Sequence, residues 1–173
     1  MNSTFAGRLF QCAIKITWGS ESTPFTVGSM TEAKNIALGR SKFESELQVR
    51  PDDIDMNQHV HGSRYFDYVL AARYDQMERC YKMPMEEFIR AGFGWFVRTA
   101  HLDYKRPLGL GDHFIVRTWV EEIVKDSVKV NFEILKKVSG KMSCDGYFHY
   151  TMVNLQTGRA EVIPEWILKK YAI

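Results

Sequence analysis

From Gly94 to Leu155 the chain reads almost without interruption as β-strand, and the breaks in that run are only a few residues long. Short breaks leave no room for a crossover helix, so consecutive strands are expected to pair antiparallel. Residues 94–106 are rich in aromatic and β-branched types. Phe114, Val116, Thr118 and Val120 alternate with Ile115, Arg117, Trp119 and Glu121, and Val128, Val130, Phe132 and Ile134 alternate with Lys129, Asn131 and Glu133. Cys144 to Leu155 forms a further long strand. The connections at Leu108 to Asp112, Lys125 to Ser127, Ser139 to Lys141 and Gln156 to Gly158 all carry turn residues.

One strand and one long helix precede this run. In Phe43 to Arg50 the apolar Phe43, Leu47 and Val49 oppose Glu44, Glu46, Gln48 and Arg50, the pattern of a half-buried strand. After Pro51 a polar stretch leads to a turn at Gly62 and a helix N-cap candidate at Ser63. Phe66, Val69, Leu70, Met77, Cys80 and Tyr81 then recur at three- and four-residue intervals, with Tyr65, Tyr68 and Ala72 on another flank. A helix apolar on most sides is buried on most sides. Pro84, Glu86, Glu87, Arg90 and Gly92 spell a short second helix, and Pro164, Glu165 and Trp166 open a terminal one ending near Tyr171. The expected plan is α+β: about five antiparallel strands wrapped against one central helix, with a C-terminal helix.

A chain of 173 residues suits one domain, and 45% hydrophobic with 25% charged residues is ordinary globular usage, which excludes disorder and fibrous repeats. A formal charge of +2 is too small for a nucleic-acid footprint. No apolar run approaches the roughly 20 residues that span a bilayer. Three widely spaced cysteines fit neither a disulfide framework nor a Cys-x-x-Cys zinc site, so a reducing compartment is expected. Residues 1–20 hold no acid, two cations (Arg8, Lys15) and scattered Ser and Thr, which gives them the look of a transit peptide; residues 20–31 read as a linker, with Met30 an alternative start. The division is therefore an N-terminal extension over residues 1–30 and a folded domain over 31–173. A cytoplasmic location is expected, or a plastid or mitochondrion if residues 1–29 are a transit peptide.

The richest polar cluster runs from Pro51 to Ser63 and holds three carboxylates, an asparagine and two histidines at the entrance to the buried helix. Such an entrance offers unsatisfied backbone N–H donors and a partial positive charge, which hold a carboxylate ionised or stabilise an oxyanion. Asp and Asn are also common turn formers, and Asp52 and Asp53 are expected to be solvated turn residues. His59-x-His61 finds no third metal ligand by spacing, so no metal is expected. Cys80 and Cys144 read as small buried hydrophobes, and Gly109-x-Gly111 as a hairpin turn rather than a phosphate loop.

The run Asp55-Met56-Asn57-Gln58-His59-Val60, with Tyr65 and Ala71-Ala72-Arg73 after it, resembles hotdog-fold thioesterases of the 4-hydroxybenzoyl-CoA thioesterase class. Tyr104-Lys105-Arg106-Pro107 and Gly111-Asp112 look like that family's strand end and turn. The resemblance covers roughly residues 42 to 165. The Asp-x-Asn-x-His spacing is also similar to acyl-ACP thioesterases, although this chain has room for one hotdog repeat where those enzymes carry two. His61 stands where the family has an Asn after the His-Val step.

The resemblance implies hydrolysis of an acyl thioester in a homodimer or dimer of dimers with sites at the subunit interface. Asp55 would be general base or nucleophile, Asn57 would orient the carbonyl or the water, and His59 would share acid/base work or brace the loop. Gly62 and Ser63 at the helix entrance, with Tyr65 and Phe66, are expected to touch substrate, and Val69, Trp95 and Phe96 are further candidate walls of an apolar acyl pocket. Lys105 and Arg106, with Lys136 and Lys137 behind them, are candidates for the phosphates of CoA or phosphopantetheine, which enter as parts of an acyl-CoA or acyl-ACP substrate and not as a separate cofactor. A hydratase or dehydratase on the same fold, and an acyl-CoA binding module without turnover, are the alternatives.

Overall fold

The computed structural model describes residues 41–171. The expectations for residues 1–30 lie outside the described residues. The element order is β1 (Phe43–Gln48), a single 3-10 turn (Pro51–Asp53), α1 (Gly62–Arg79), α2 (Met85–Arg90), β2 (Phe93–Tyr104), β3 (His113–Val124), β4 (Ser127–Lys136), β5 (Met142–Asn154) and α3 (Glu165–Tyr171). The strands form one antiparallel five-stranded sheet in the order β1-β3-β4-β5-β2. The expected hotdog plan is therefore present, with α1 against one face of the sheet.

The strand alternation decides which face that is. Phe114, Val116, Thr118 and Val120 of β3 and Val128, Val130, Phe132 and Ile134 of β4 all point under the helices and are buried. The apolar ones join Tyr65, Tyr68, Val69 and Ala72 of α1 in one cluster, and Met77, Phe88, Met152, Ile167 and Tyr171 in a second beneath α2 and α3.

The helix face differs from the expected stripe. Tyr65, Tyr68, Val69, Ala72, Arg73, Gln76 and Met77 are buried, whereas Phe66 and Leu70 are only half-buried. The face is turned by its polar members. Gln76 donates through Nε2 to the carbonyls of Phe43 and Val116, each at 3.3 Å, and to Ser45 Oγ at 3.2 Å, and accepts from the Thr118 hydroxyl. One buried amide thus ties α1 to β1 and β3. It also explains why Ser45, rather than Phe43 or Leu47, is the buried residue of β1.

The helix begins two residues earlier than its expected cap allows. His61 is the N-cap, its Nδ1 accepting from the Ser63 N–H at 3.3 Å, and Ser63 lies inside the first turn. Ahead of it, Asp53 overturns the expectation of a solvated turn residue, while Asp52 is exposed as expected. Asp53 is 1% exposed. Its carboxylate accepts from the Tyr68 hydroxyl at 2.8 Å and from the Arg50 main chain and Nε at 3.3 Å each, and lies 3.4 Å from Arg64 Nε. Burial pushes this carboxyl up, but the bonds from Arg50 and Tyr68 outweigh it and hold it below the usual range. A carboxylate fits this interior because donors from the turn and from α1 converge on it.

Gly146 on β5 faces another demand. A Cβ there would stand 1.9 Å from the carbonyl oxygen of His101, across the β2–β5 pairing. Gly146→Ala is expected to push the strands apart and cost about 3 kcal/mol, measured by urea unfolding. Asp53→Ala is expected to cost about 3 kcal/mol by the same measurement, since it leaves a buried hydroxyl and nearby guanidinium groups without their acceptor. Because the folded carboxyl titrates below its unfolded value near 3.9, its stabilisation is present above that pH and fades as pH falls through the lower folded value. The wild-type acid transition should show this loss and the Asp53→Ala transition should lack it.

Candidate active site

Between the Asp53 anchor and the first turn of α1, the loop closes on itself. An isolated antiparallel bridge joins Ile54 to Val60, the Asp55 N–H donates to the His59 carbonyl at 2.9 Å, and the Gln58 N–H donates to the Asp55 carbonyl at 3.0 Å. The turn demands a left-handed residue, and Gln58 supplies it with φ +61°.

The half-exposed Asp55 carboxylate sits at the head of this turn. Oδ1 accepts from the Asn57 N–H at 2.8 Å, and the Asn57 side-chain amide donates to Oδ2 at 3.4 Å. The Asn57 main chain is the chief cause that holds the carboxyl below its usual range, with its side chain, the His59 main chain and the charge of His61 adding to it against a smaller opposing effect of burial. Asp55 is therefore ionised at neutral pH. Both the main-chain and the side-chain amide of Asn57 are turned to Asp55. The His59 side chain is exposed, and its carbonyl is what the loop uses.

The helix entrance brings Gly62 and Ser63 beside this loop. The Ser63 and Arg64 N–H groups are spent on His61, so Gly62 is the first-turn donor that these bonds leave unused. The Tyr104 hydroxyl, at the far end of β2, donates to the Gly62 carbonyl at 2.8 Å. Tyr65 is a brace inside the core, its hydroxyl accepting from the Leu108 N–H at 3.1 Å, and Phe66 packs on Phe148 with ring centroids 4.9 Å apart.

The four candidate phosphate cations are all engaged. Lys105 pairs with Asp103 at 2.6 Å and Asp145 at 2.9 Å, Arg106 donates to the Met142 carbonyl, Lys136 pairs with Asp112 and Lys137 with Glu46. A phosphate would have to compete with these partners.

A mostly apolar cavity of about 470 Å³ lies elsewhere, at the second half of α1. Leu70 and Met77 line it from α1, Ile89 from α2, Trp95 and Phe96 from β2 and Tyr150 from β5. Of the expected acyl-pocket walls Trp95 and Phe96 are there, while Tyr65, Phe66 and Val69 are not. The role of α2 was missed, and the only signal for it was that a short amphipathic helix follows α1 directly. Asp55 does not line this cavity; helix rise alone puts about 12 Å between Gly62 and Leu70. Strand β2 passes both features. Its Tyr104 end is bonded to the helix entrance, its Phe96 end walls the cavity, and its outer edge is unpaired within the sheet over 12 residues. No group of three or more His, Cys, Asp or Glu side chains suited to a metal occurs among the described residues, and no helix there is long and apolar enough to cross a membrane.

Known proteins share this fold. The long-chain acyl-CoA thioesterase FadM of Escherichia coli is 21% identical over 118 residues, which cover 68% of this chain and 88% of that protein. The structure of a DHNA-CoA thioesterase from Staphylococcus aureus superposes with a TM-score of 0.70 at 18% identity, covering 75% of this chain and 88% of that one. A hypothetical protein of Thermus thermophilus superposes with a TM-score of 0.69 at 25% identity, covering 74% and 95%. The sequence pattern of the thioesterase-like superfamily matches residues 49–171, which takes in the Asp55 loop, all of α1 and the sheet from β2 to β5. The chain belongs to the thioesterase-like superfamily.

Proposed function

We propose that the protein hydrolyses acyl-CoA thioesters to a free carboxylic acid and CoA, with Asp55 as the catalytic residue. The observation that carries the reading is an ionised, half-exposed carboxylate held by Asn57 at a helix entrance whose Gly62 N–H has no partner among the described residues. A thioester carbonyl is activated enough for this equipment. Asp55 takes a proton from water as the water oxygen bonds to the carbonyl carbon. The oxyanion is met by the Gly62 N–H and the positive end of α1. The C–S bond then breaks, and the CoA sulfur leaves as thiolate and takes up a proton. Direct attack by Asp55, forming an anhydride that water cleaves, uses the same geometry.

A second copy of the chain supplies what one copy keeps apart. Pairing β2 with β2 of the second copy in antiparallel sense sets the Phe93 end of one beside the Tyr104 end of the other. Since Tyr104 is bonded to Gly62, the Asp55 loop of one copy then approaches the cavity of the other. The same pairing covers a long bare strand edge and Phe96, which is 55% exposed in the single chain. Paired in this way, the cavity holds the acyl chain.

Asp55→Ala is expected to lower thiol release from acyl-CoA at least ~100-fold while urea unfolding stays close to wild type. The carboxylate is the active form and its pKa is lowered, so kcat/KM should be flat across neutral pH and fall only in acid, below the usual range for an aspartate. A profile whose acidic limb lies near pH 6 would point to a different base. Light scattering at micromolar concentration is expected to give a multiple of the chain mass, and a monomer with full specific activity would remove the shared site.

A further inference from the structure

The cavity that we assign to the acyl chain is not lined by hydrocarbon alone. Arg73, from the middle of α1, stands in its wall and is 7% exposed. A buried guanidinium normally faces a carboxylate or phosphate. Here its hydrogen bond runs from Nη1 to the neutral Thr118 hydroxyl at 3.2 Å, and its charged carbon lies 5.3 Å from the centre of the Tyr81 ring. Thr118 passes the chain of bonds through Gln76 and Ser45 to Asp75, but the Asp75 carboxylate is already held by Arg79 at 2.9 Å. Among the described residues the charge of Arg73 has no anion of its own.

Two further residues of the same wall carry a buried polar atom. The Trp95 indole N–H and the Tyr150 hydroxyl are buried without a hydrogen-bond partner among the described residues, and both residues line the cavity. Burial pushes the Tyr150 phenol up to about 12, with the positive charge of Arg73 opposing that rise, so it is a protonated donor. Buried donors are rarely left unused, and each is costly when empty. A plain hydrocarbon chain would leave the cation and both donors dry.

We propose that the acyl group this cavity accepts ends in a carboxylate, which Arg73 binds. The substrate class is then the CoA thioester of a dicarboxylic acid. The apolar walls hold the methylenes between the two ends, and the guanidinium presents the paired N–H geometry that a carboxylate fits. The inference rests on the thioesterase reading for the CoA end and on the cavity for the distal end.

Non-hydrolysable S-alkyl-CoA thioethers separate the two. Binding of S-decyl-CoA and of its ω-carboxy counterpart to the full chain, measured by calorimetry and repeated at a shorter and a longer matched length, needs no turnover. At the best-fitting length the carboxy form is expected to bind at least ~10-fold tighter. Arg73→Met should bring that ratio to about one, and Arg73→Lys, which keeps the charge, should retain part of it. Equal or tighter binding of the plain chain at every length overturns the inference, as does an undiminished ratio in a folded Arg73→Met variant. Hydrolysis of decanoyl-CoA with no preference between the thioethers sinks this inference alone. Failure of both thioethers to bind sinks it together with the thioesterase reading.

Discussion

Everything in this fold depends on one helix lying across one sheet in a single orientation. Apolar contact sets how closely α1 approaches the strands but says little about its rotation, because Tyr65, Phe66, Val69 and Leu70 would each pack acceptably. Directional bonds at two points set the rotation. At the entrance, the Tyr68 hydroxyl and Arg64 reach the buried Asp53 carboxylate, and in the second half Gln76 bonds to both β1 and β3. A helix fixed at two points can neither roll nor slide. That fixity carries outward: the loop that follows Asp53 inherits its position, and so does Asp55.

The architecture was legible because its signals are periodic and redundant. The inward residues of β3 and β4 were readable from alternation alone, since period two admits only one face to a covering layer. The position of Asp55 at the helix entrance was equally readable, because the polar cluster adjoins the helix start in sequence. What escaped was set by single long-range bonds. Asp53 looks like its neighbour Asp52, and nothing local says that the Tyr68 hydroxyl and Arg50 converge on one of them and not the other. Arg73 and Gln76 are buried because their partners Thr118, Ser45 and the Val116 carbonyl lie on strands more than 25 residues away, which no local pattern shows. The cavity escaped for a related reason. It is a gap between α1, α2, β2 and β5, and a gap has no sequence period.

The separation of Asp55 from that cavity is itself a structural argument about assembly. The carboxylate proposed as catalytic lies outside the cavity proposed for the acyl chain, which is puzzling in a single chain. The same edge strand touches both, at opposite ends. An antiparallel pair of such strands exchanges ends by symmetry, so one contact repeated twice completes two sites. The bare β2 edge, a liability in a monomer, and the divided site then have one explanation.

Arg73 poses the opposite question, since it sits where stability alone would place methionine or leucine. Desolvating a guanidinium without an anion costs stability, and a neutral threonine hydroxyl and a tyrosine face return only part of it. The rest of the core shows that this chain can satisfy a buried charge when folding is the only demand: the buried Asp53 receives donors from Arg50 and Tyr68. The cation stands in a cavity wall that also holds two residues with an unpartnered polar atom among the described residues, Trp95 and Tyr150. Departures from local consistency of this kind gather where a ligand completes the structure. A carboxylate entering from the acyl side would give Arg73 what Arg50 and Tyr68 already give Asp53, and the cavity would be fully satisfied only when occupied.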